Sequence, residues 1–366
     1  MLDFATVLRF VVDSGASDLH LKVGSPPRVR VDGQLIETKF DRLTPEDLEN
    51  LIKELLPPDR AVEFAKTNEA DFAVSASGLG RFRCNAFRQR GSVGMVMRQV
   101  ATSMPTIEQL GLPPVVARLA EEHRGLVLVT GPTGSGKTST LASMIDHINS
   151  TRSVNIVTIE DPIEVIHRDK LAFVNQREIG ADTTDYSQAM RRVLRQDPDV
   201  ILIGEMRDAE TVSAALSAAE TGHMVFSTLH TTNAPETINR IVDFFPPFQQ
   251  HQIRLILATC LKGVISQRLL ERANSTGRVP AIEVMVTTGR IADRIIDPTG
   301  GQGETIEELI SQGDWYGMQT FDQSLFSLYK GGLVSLANAM AAASNPHDFR
   351  LSLQQAGLLG TASTAA

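Results

Sequence analysis

The segment Gly131-Pro132-Thr133-Gly134-Ser135-Gly136-Lys137-Thr138 constrains this chain more than any other. It fits the pattern G-x-x-x-x-G-K-[ST]. In that pattern the glycines let successive backbone N–H groups curl around a polyphosphate. Lys137 brings a compact positive charge to the outer phosphates, and the Thr138 hydroxyl is suited to ligate Mg²⁺. The flanks agree with this reading. Leu126–Val129 is a short apolar run, and Leu141, Met144, Ile145 and Ile148 follow at helical spacing. A phosphate held between them lies at a helix N-terminus, where the dipole favours negative charge. A polyphosphate-bearing ligand with Mg²⁺ is therefore expected.

Three further signals follow the same grammar. Thr158-Ile159-Glu160-Asp161-Pro162-Ile163-Glu164 places carboxylates at the end of an apolar run. A carboxylate there can orient or deprotonate an attacking water. Asp199-Val200-Ile201-Leu202-Ile203-Gly204-Glu205 ends a second run in Glu205, positioned to hold Mg²⁺ through a water. Thr221–Thr231 carries His223 and His230 on either side of a third run, Met224–Phe226. His230 is expected at the same sheet edge as the other signals, in reach of a γ-phosphate. Short apolar runs separated by helical stretches imply an α/β fold whose parallel sheet is covered on both faces.

Length and composition bound the rest. A chain of 366 residues suits two domains. Lys plus Arg is 35 and Asp plus Glu is 43, giving a net charge of −8, with aromatic residues at 5%. That balance speaks against a nucleic-acid partner, which calls for basic and stacking surfaces. Two cysteines, Cys84 and Cys260, are too few for a disulfide framework or a four-cysteine zinc site. No run of apolar residues is long enough to insert in a membrane, and the N-terminus reads as an amphipathic helix built on Leu2, Val7, Leu8, Val11 and Val12. The expected location is the cytoplasm, with membrane contact only through partners.

Along the chain, residues 1–100 read as a small α+β domain, with strands at Leu19–Val23, Val29–Val31, Phe72–Val74 and Phe82–Phe87 and a helix begun by Thr44-Pro45-Glu46. Residues 101–114 contain Pro105, Gly111, Pro113 and Pro114 and read as a linker. Residues 115–366 form the α/β domain, with 235–345 expected to be mainly helical and Gly360–Ala366 to fray.

These motifs together resemble one family, the ATPases of type II/IV secretion and of pili, and within it the retraction ATPases of type IV pili. The matching stretches are Gly15–Leu35, Gly80–Phe87, the Gly131–Thr138 loop, TIEDPIE, Arg195–Asp208, TGHMVFSTLHT and Gly317–Leu325. The resemblance implies a RecA-like P-loop domain preceded by a PAS-like domain, assembled as a homohexamer. It implies Glu164 as the glutamate that activates water, with Glu205 and His230 also catalytic. It implies Arg81, Arg83 and His223 as nucleotide contacts beside the loop. Implied partners are an inner-membrane pilus platform protein and a related accessory ATPase, at the inner face of the cytoplasmic membrane. Arg290–Asp297 only partly matches the C-terminal motif of retraction ATPases, and Ser344–Leu351 is similar to their accessory relatives. An accessory retraction ATPase is thus one alternative. A pilus-assembly or type II secretion ATPase is another, disfavoured because those chains extend further at the N-terminus and usually carry a four-cysteine zinc element.

Overall fold

The computed structural model describes residues 3–274, 276–298 and 303–359. Leu2 and Gly360–Ala366, named above, lie outside the described residues. The chain divides into two compact units. One comprises residues 1–103 with Glu164–Ile166, the other residues 104–163 and 167–366.

The first unit is a six-stranded sheet in the order β3-β2-β1-β6-β5-β4, antiparallel throughout. Its strands are β1 (Asp18–Lys22), β2 (Arg28–Val31), β3 (Gln34–Glu37), β4 (Glu69–Ala76), β5 (Gly80–Gln89) and β6 (Ser92–Gln99). Period-two alternation explains its burial. On β5, Phe82, Cys84 and Ala86 are buried, and Arg81 and Arg83 occupy the intervening positions on the other face. The helices Phe4–Asp13 and Pro45–Leu55 close the core with Val7, Leu8, Val11, Leu48, Leu51 and Ile52. Thr44 caps the second of these in a capping box with Asp47.

The second unit holds a seven-stranded sheet in the order β13-β12-β7-β11-β10-β8-β9. The strands are β7 (Gly125–Thr130), β8 (Asn155–Glu160), β9 (Phe173–Glu178), β10 (Val200–Ile203), β11 (Met224–Leu229), β12 (Leu261–Glu271) and β13 (Arg278–Val286). All neighbours are parallel except β13, which runs antiparallel to β12. The fold is α/β with a parallel-sheet core, preceded by a small α+β unit. Helices cover both faces. On β7, Leu126 and Leu128 pack with the helices Tyr186–Val193, Ala209–Glu220 and Ala234–Asp243, whereas Val127 and Val129 pack with Lys137–Thr151 and Val115–Ala120. Each such side chain contributes roughly 1.5–3 kcal/mol by leaving water.

Residues 235–345 are mostly helical, as expected, but they also contain the two strands β12 and β13. The helix Pro247–Cys260 passes into β12 at Leu261 with no intervening loop. No glycine or proline falls at the Cys260–Leu261 junction, and the LKGVISQRLLE sequence of β12 mixes polar and apolar residues without a sustained alternation. Strand β9 also went unforeseen, since its FVNQRE sequence is mixed and lies at the sheet edge. Among the described residues no helix is long and apolar enough to cross a membrane, and no cluster of His, Cys, Asp and Glu has the form of a metal site. Cys84 and Cys260 are both buried, and burial pushes each thiol up to about 12.

Candidate active site

Strand β7 delivers the Gly131–Gly136 loop to the carboxyl edge of the sheet, and the helix Lys137–Thr151 leaves it. Gly131 adopts φ 141°, and a Cβ there would stand 2.5 Å from the Gln267 carbonyl oxygen and 2.6 Å from Ser135 Oγ. Only glycine serves, because both the backbone angle and the neighbouring strand exclude a side chain. The Ser135 hydroxyl is buried inside the loop with no hydrogen-bond partner. Lys137 Nζ donates to the carbonyls of Gly131 at 2.8 Å and Pro132 at 3.1 Å. Burial holds its pKa below the usual lysine range, and the negative charge of Glu205 opposes that shift. Thr138 is exposed on the first turn of the helix.

Glu205 comes from the loop that follows β10. It is ion-paired with Arg207 and lies 3.3 Å from His230 Nε2, which follows β11. Arg207 Nη1 also stands 3.9 Å from Asp161 Oδ2, at the end of β8. The three strands β8, β10 and β11 thus bring Asp161, Glu205 and His230 to the edge that carries the phosphate loop. Backbone ties fix this edge. Gly204 N–H donates to the Ile159 carbonyl at 2.8 Å, and the Thr228 hydroxyl donates to the Gly204 carbonyl at 2.7 Å. Tyr186 packs so closely that a Cβ on Gly204 would stand 2.8 Å from its Oη, and burial among acidic neighbours raises the tyrosine pKa.

Other members of the acidic motifs are structural. Glu160 is buried and accepts from the Thr158 hydroxyl at 2.6 Å and Gln176 Nε2 at 3.0 Å. Asp199 accepts from Asn155 N–H at 2.8 Å, and Asp208 caps the helix Ala209–Glu220 through Thr211 N–H. Glu164 belongs to the segment that groups with the first unit, where Ile166 N–H donates to the Ala101 carbonyl at 2.8 Å. There Arg83 Nη1 donates to Glu164 Oε1 at 2.7 Å. Arg81 lies two residues earlier on the same face of β5.

His223 is not brought to the loop edge. It precedes β11, at the opposite end of that six-residue strand from His230. Its Nδ1 lies 3.0 Å from the Ala218 carbonyl, and its own carbonyl accepts from Gly125 N–H at 3.0 Å. At about 3.3 Å per strand residue it stands some 20 Å from the phosphate loop of its own chain. The physical reason is that two residues bracketing a strand necessarily emerge at opposite sheet edges. Arg207 and Tyr186, in turn, were not foreseen. Arg207 carried a signal, a cation two residues past Glu205 in a turn. Tyr186 reaches the edge from the start of a helix remote in sequence, and no local pattern marks it.

The type II/IV secretion system protein family model matches residues 5–305. The chain belongs to that family. Within the type II/IV secretion proteins it is 44% identical over 348 residues to the type IV pilus retraction ATPase PilT of Pseudomonas aeruginosa, covering 95% of this chain and 100% of that protein. It is 40% identical over 353 residues to the type IV pilus ATPase PilU of the same organism, covering 96% and 92%. A crystal structure of the pilus retraction motor PilT with bound ADP matches with a TM-score of 0.85 at 45% identity, covering 95% of this chain and 99% of that one.

Proposed function

We propose that this family member is an ATP-hydrolysing motor that retracts type IV pili. The observation that carries the reading is the phosphate loop with Glu205 and His230 at one sheet edge, in a chain similar along 95% of its length to a pilus retraction ATPase. In this reading Lys137 exchanges the two loop carbonyls for phosphate oxygens, and the loop N–H groups and helix N-terminus hold the remaining charge. Mg²⁺ fits the residues present, since the Thr138 hydroxyl is exposed and the Glu205 carboxylate is close enough to act on Lys137. An ion held there would supply positive charge against the phosphates. Glu164 orients and deprotonates the attacking water. Arg81 and Arg83 contact the nucleotide, and Arg83 holds the Glu164 carboxylate until it does so. His230 reads the γ-phosphate through Glu205.

The working form is a homohexamer at the inner face of the cytoplasmic membrane, acting on a platform protein of the pilus base together with a related accessory ATPase. The 40% identity to PilU supports a second reading, in which this chain is itself the accessory ATPase. Deleting the gene separates the outcomes. Surplus surface pili without twitching support a retraction motor, and loss of pili points to assembly. Normal twitching in the single deletion, with a defect only when another retraction ATPase is weakened, supports the accessory role. Purified hexamer that releases no phosphate from ATP with Mg²⁺ refutes the enzymatic reading.

A further inference from the structure

Glu205 already has a cation beside it, and that cation belongs to the chain. Arg207 is ion-paired with Glu205 Oε1, and His230 Nε2 lies 3.3 Å from Oε2, so each oxygen of the carboxylate has a partner. Arg207 Nη1 also stands 3.9 Å from Asp161 Oδ2. One guanidinium thus spans acids that follow β10 and β8. The backbone on either side of it is fixed. Met206 is buried and its N–H donates to the Thr228 carbonyl at 3.2 Å, and Asp208 caps the helix Ala209–Glu220. The two side chains of the pair differ in freedom. That of Glu205 is 17% exposed, that of Arg207 59%. The carboxylate is held in place, whereas the guanidinium reaches it from solvent and can leave without unpacking a neighbour.

A mostly buried carboxylate is costly to leave unpaired, and Arg207 removes that cost when no metal ion is held. The same pairing opposes a metal ion. A divalent cation a few ångströms from a guanidinium is repelled by it, and a neutralised carboxylate attracts the cation less. From this geometry we infer that Arg207 is the resting counter-ion of Glu205, which a divalent cation must displace before Glu205 can hold it through water. Asp161 is the carboxylate left to receive the guanidinium. Arg207 is therefore a positioning residue. It sets how much Mg²⁺ adds to nucleotide binding, and it acts only through Glu205. That a nucleotide and Mg²⁺ bind at this edge rests on the function proposed above; the pairing of Arg207 with Glu205 and Asp161 does not.

Calorimetric titration of the purified full chain with ADP tests this, once in EDTA and once in saturating Mg²⁺. The readout is the factor by which Mg²⁺ tightens ADP binding, which involves no turnover. Arg207→Gln and Arg207→Met remove the charge at similar side-chain length, and either should raise that factor about tenfold. Arg207→Lys keeps the charge and should stay within about threefold of wild type. Glu205→Gln should lower the factor. Adding Arg207→Gln to Glu205→Gln should change nothing further, because the arginine has then lost the carboxylate through which it acts. A factor that the uncharged variants leave unaltered or lower overturns the inference. So does an Arg207→Gln effect of equal size with and without Glu205, which would place the arginine on the phosphates themselves. A wild type that binds no ADP under either condition overturns the proposed function, and this inference with it.

Discussion

The Arg83 guanidinium, 2.7 Å from Glu164, both positions that carboxylate and occupies a lone pair it would need in its proposed role as general base. Two substitutions separate those effects. Glu164→Gln should bind ATP with near-normal affinity and lose turnover by about 10²–10⁴-fold, the span usual for a missing general base, as read by nucleotide binding alongside phosphate release. Robust hydrolysis in that variant removes Glu164 from its role. Lys137→Ala should lose nucleotide binding itself, because it removes the cation that stands over the loop carbonyls. Gly204→Ala probes the edge without touching charge. Its Cβ would press on Tyr186 Oη and the Ile159 carbonyl, so a loss of about 1–3 kcal/mol is expected in urea unfolding. An unchanged midpoint would show that Tyr186 yields freely.

At the scale of elements, the parallel core was legible because β7, β8, β10 and β11 are short apolar runs bounded by turn residues. So was the edge they share, since a carboxylate or histidine directly after such a run must emerge there. What stayed hidden was pairing. Nothing in Leu261–Glu271 announces that it lies between β7 and β13, and so nothing announced Glu283, an acid inside an apolar strand. That acid should make stability depend on pH. Burial pushes its carboxyl up to about 7 from an ordinary 4.5, so between those values the folded protein binds more protons than the unfolded chain. Its contribution to folding is therefore fully present below about pH 4.5 and is lost as pH rises through 7. Glu283→Gln lacks this dependence. The stability of the variant relative to wild type should rise from pH 5 to pH 8.5, by on the order of 3 kcal/mol at most. A flat difference across that range would mean the buried carboxyl is not displaced.

For the molecule as a whole, the split near residue 103 coincides with a change of sheet type, antiparallel before and parallel after. The stretch from 101 to 114, with Pro105, Gly111, Pro113 and Pro114, lies across that change. The return of Glu164–Ile166 to the first unit had no such signal. It depends on a backbone pairing with Ala101 that only the folded chain reveals. Thus the phosphate loop and Glu164, neighbours in any reading of the motifs, belong to different compact units of one chain.

Because Cys84 sits in the core of the first unit and Cys260 in that of the second, neither sulfur offers a thiolate to a reagent at neutral pH. A disulfide-exchange dye should titrate no thiols in the native chain and two after denaturation. The natural sequence is then already a silent background for attaching paired fluorophores. A cysteine placed on an exposed position of each unit would let the separation of the units be followed through a turnover, with no need to strip the protein of its own sulfur.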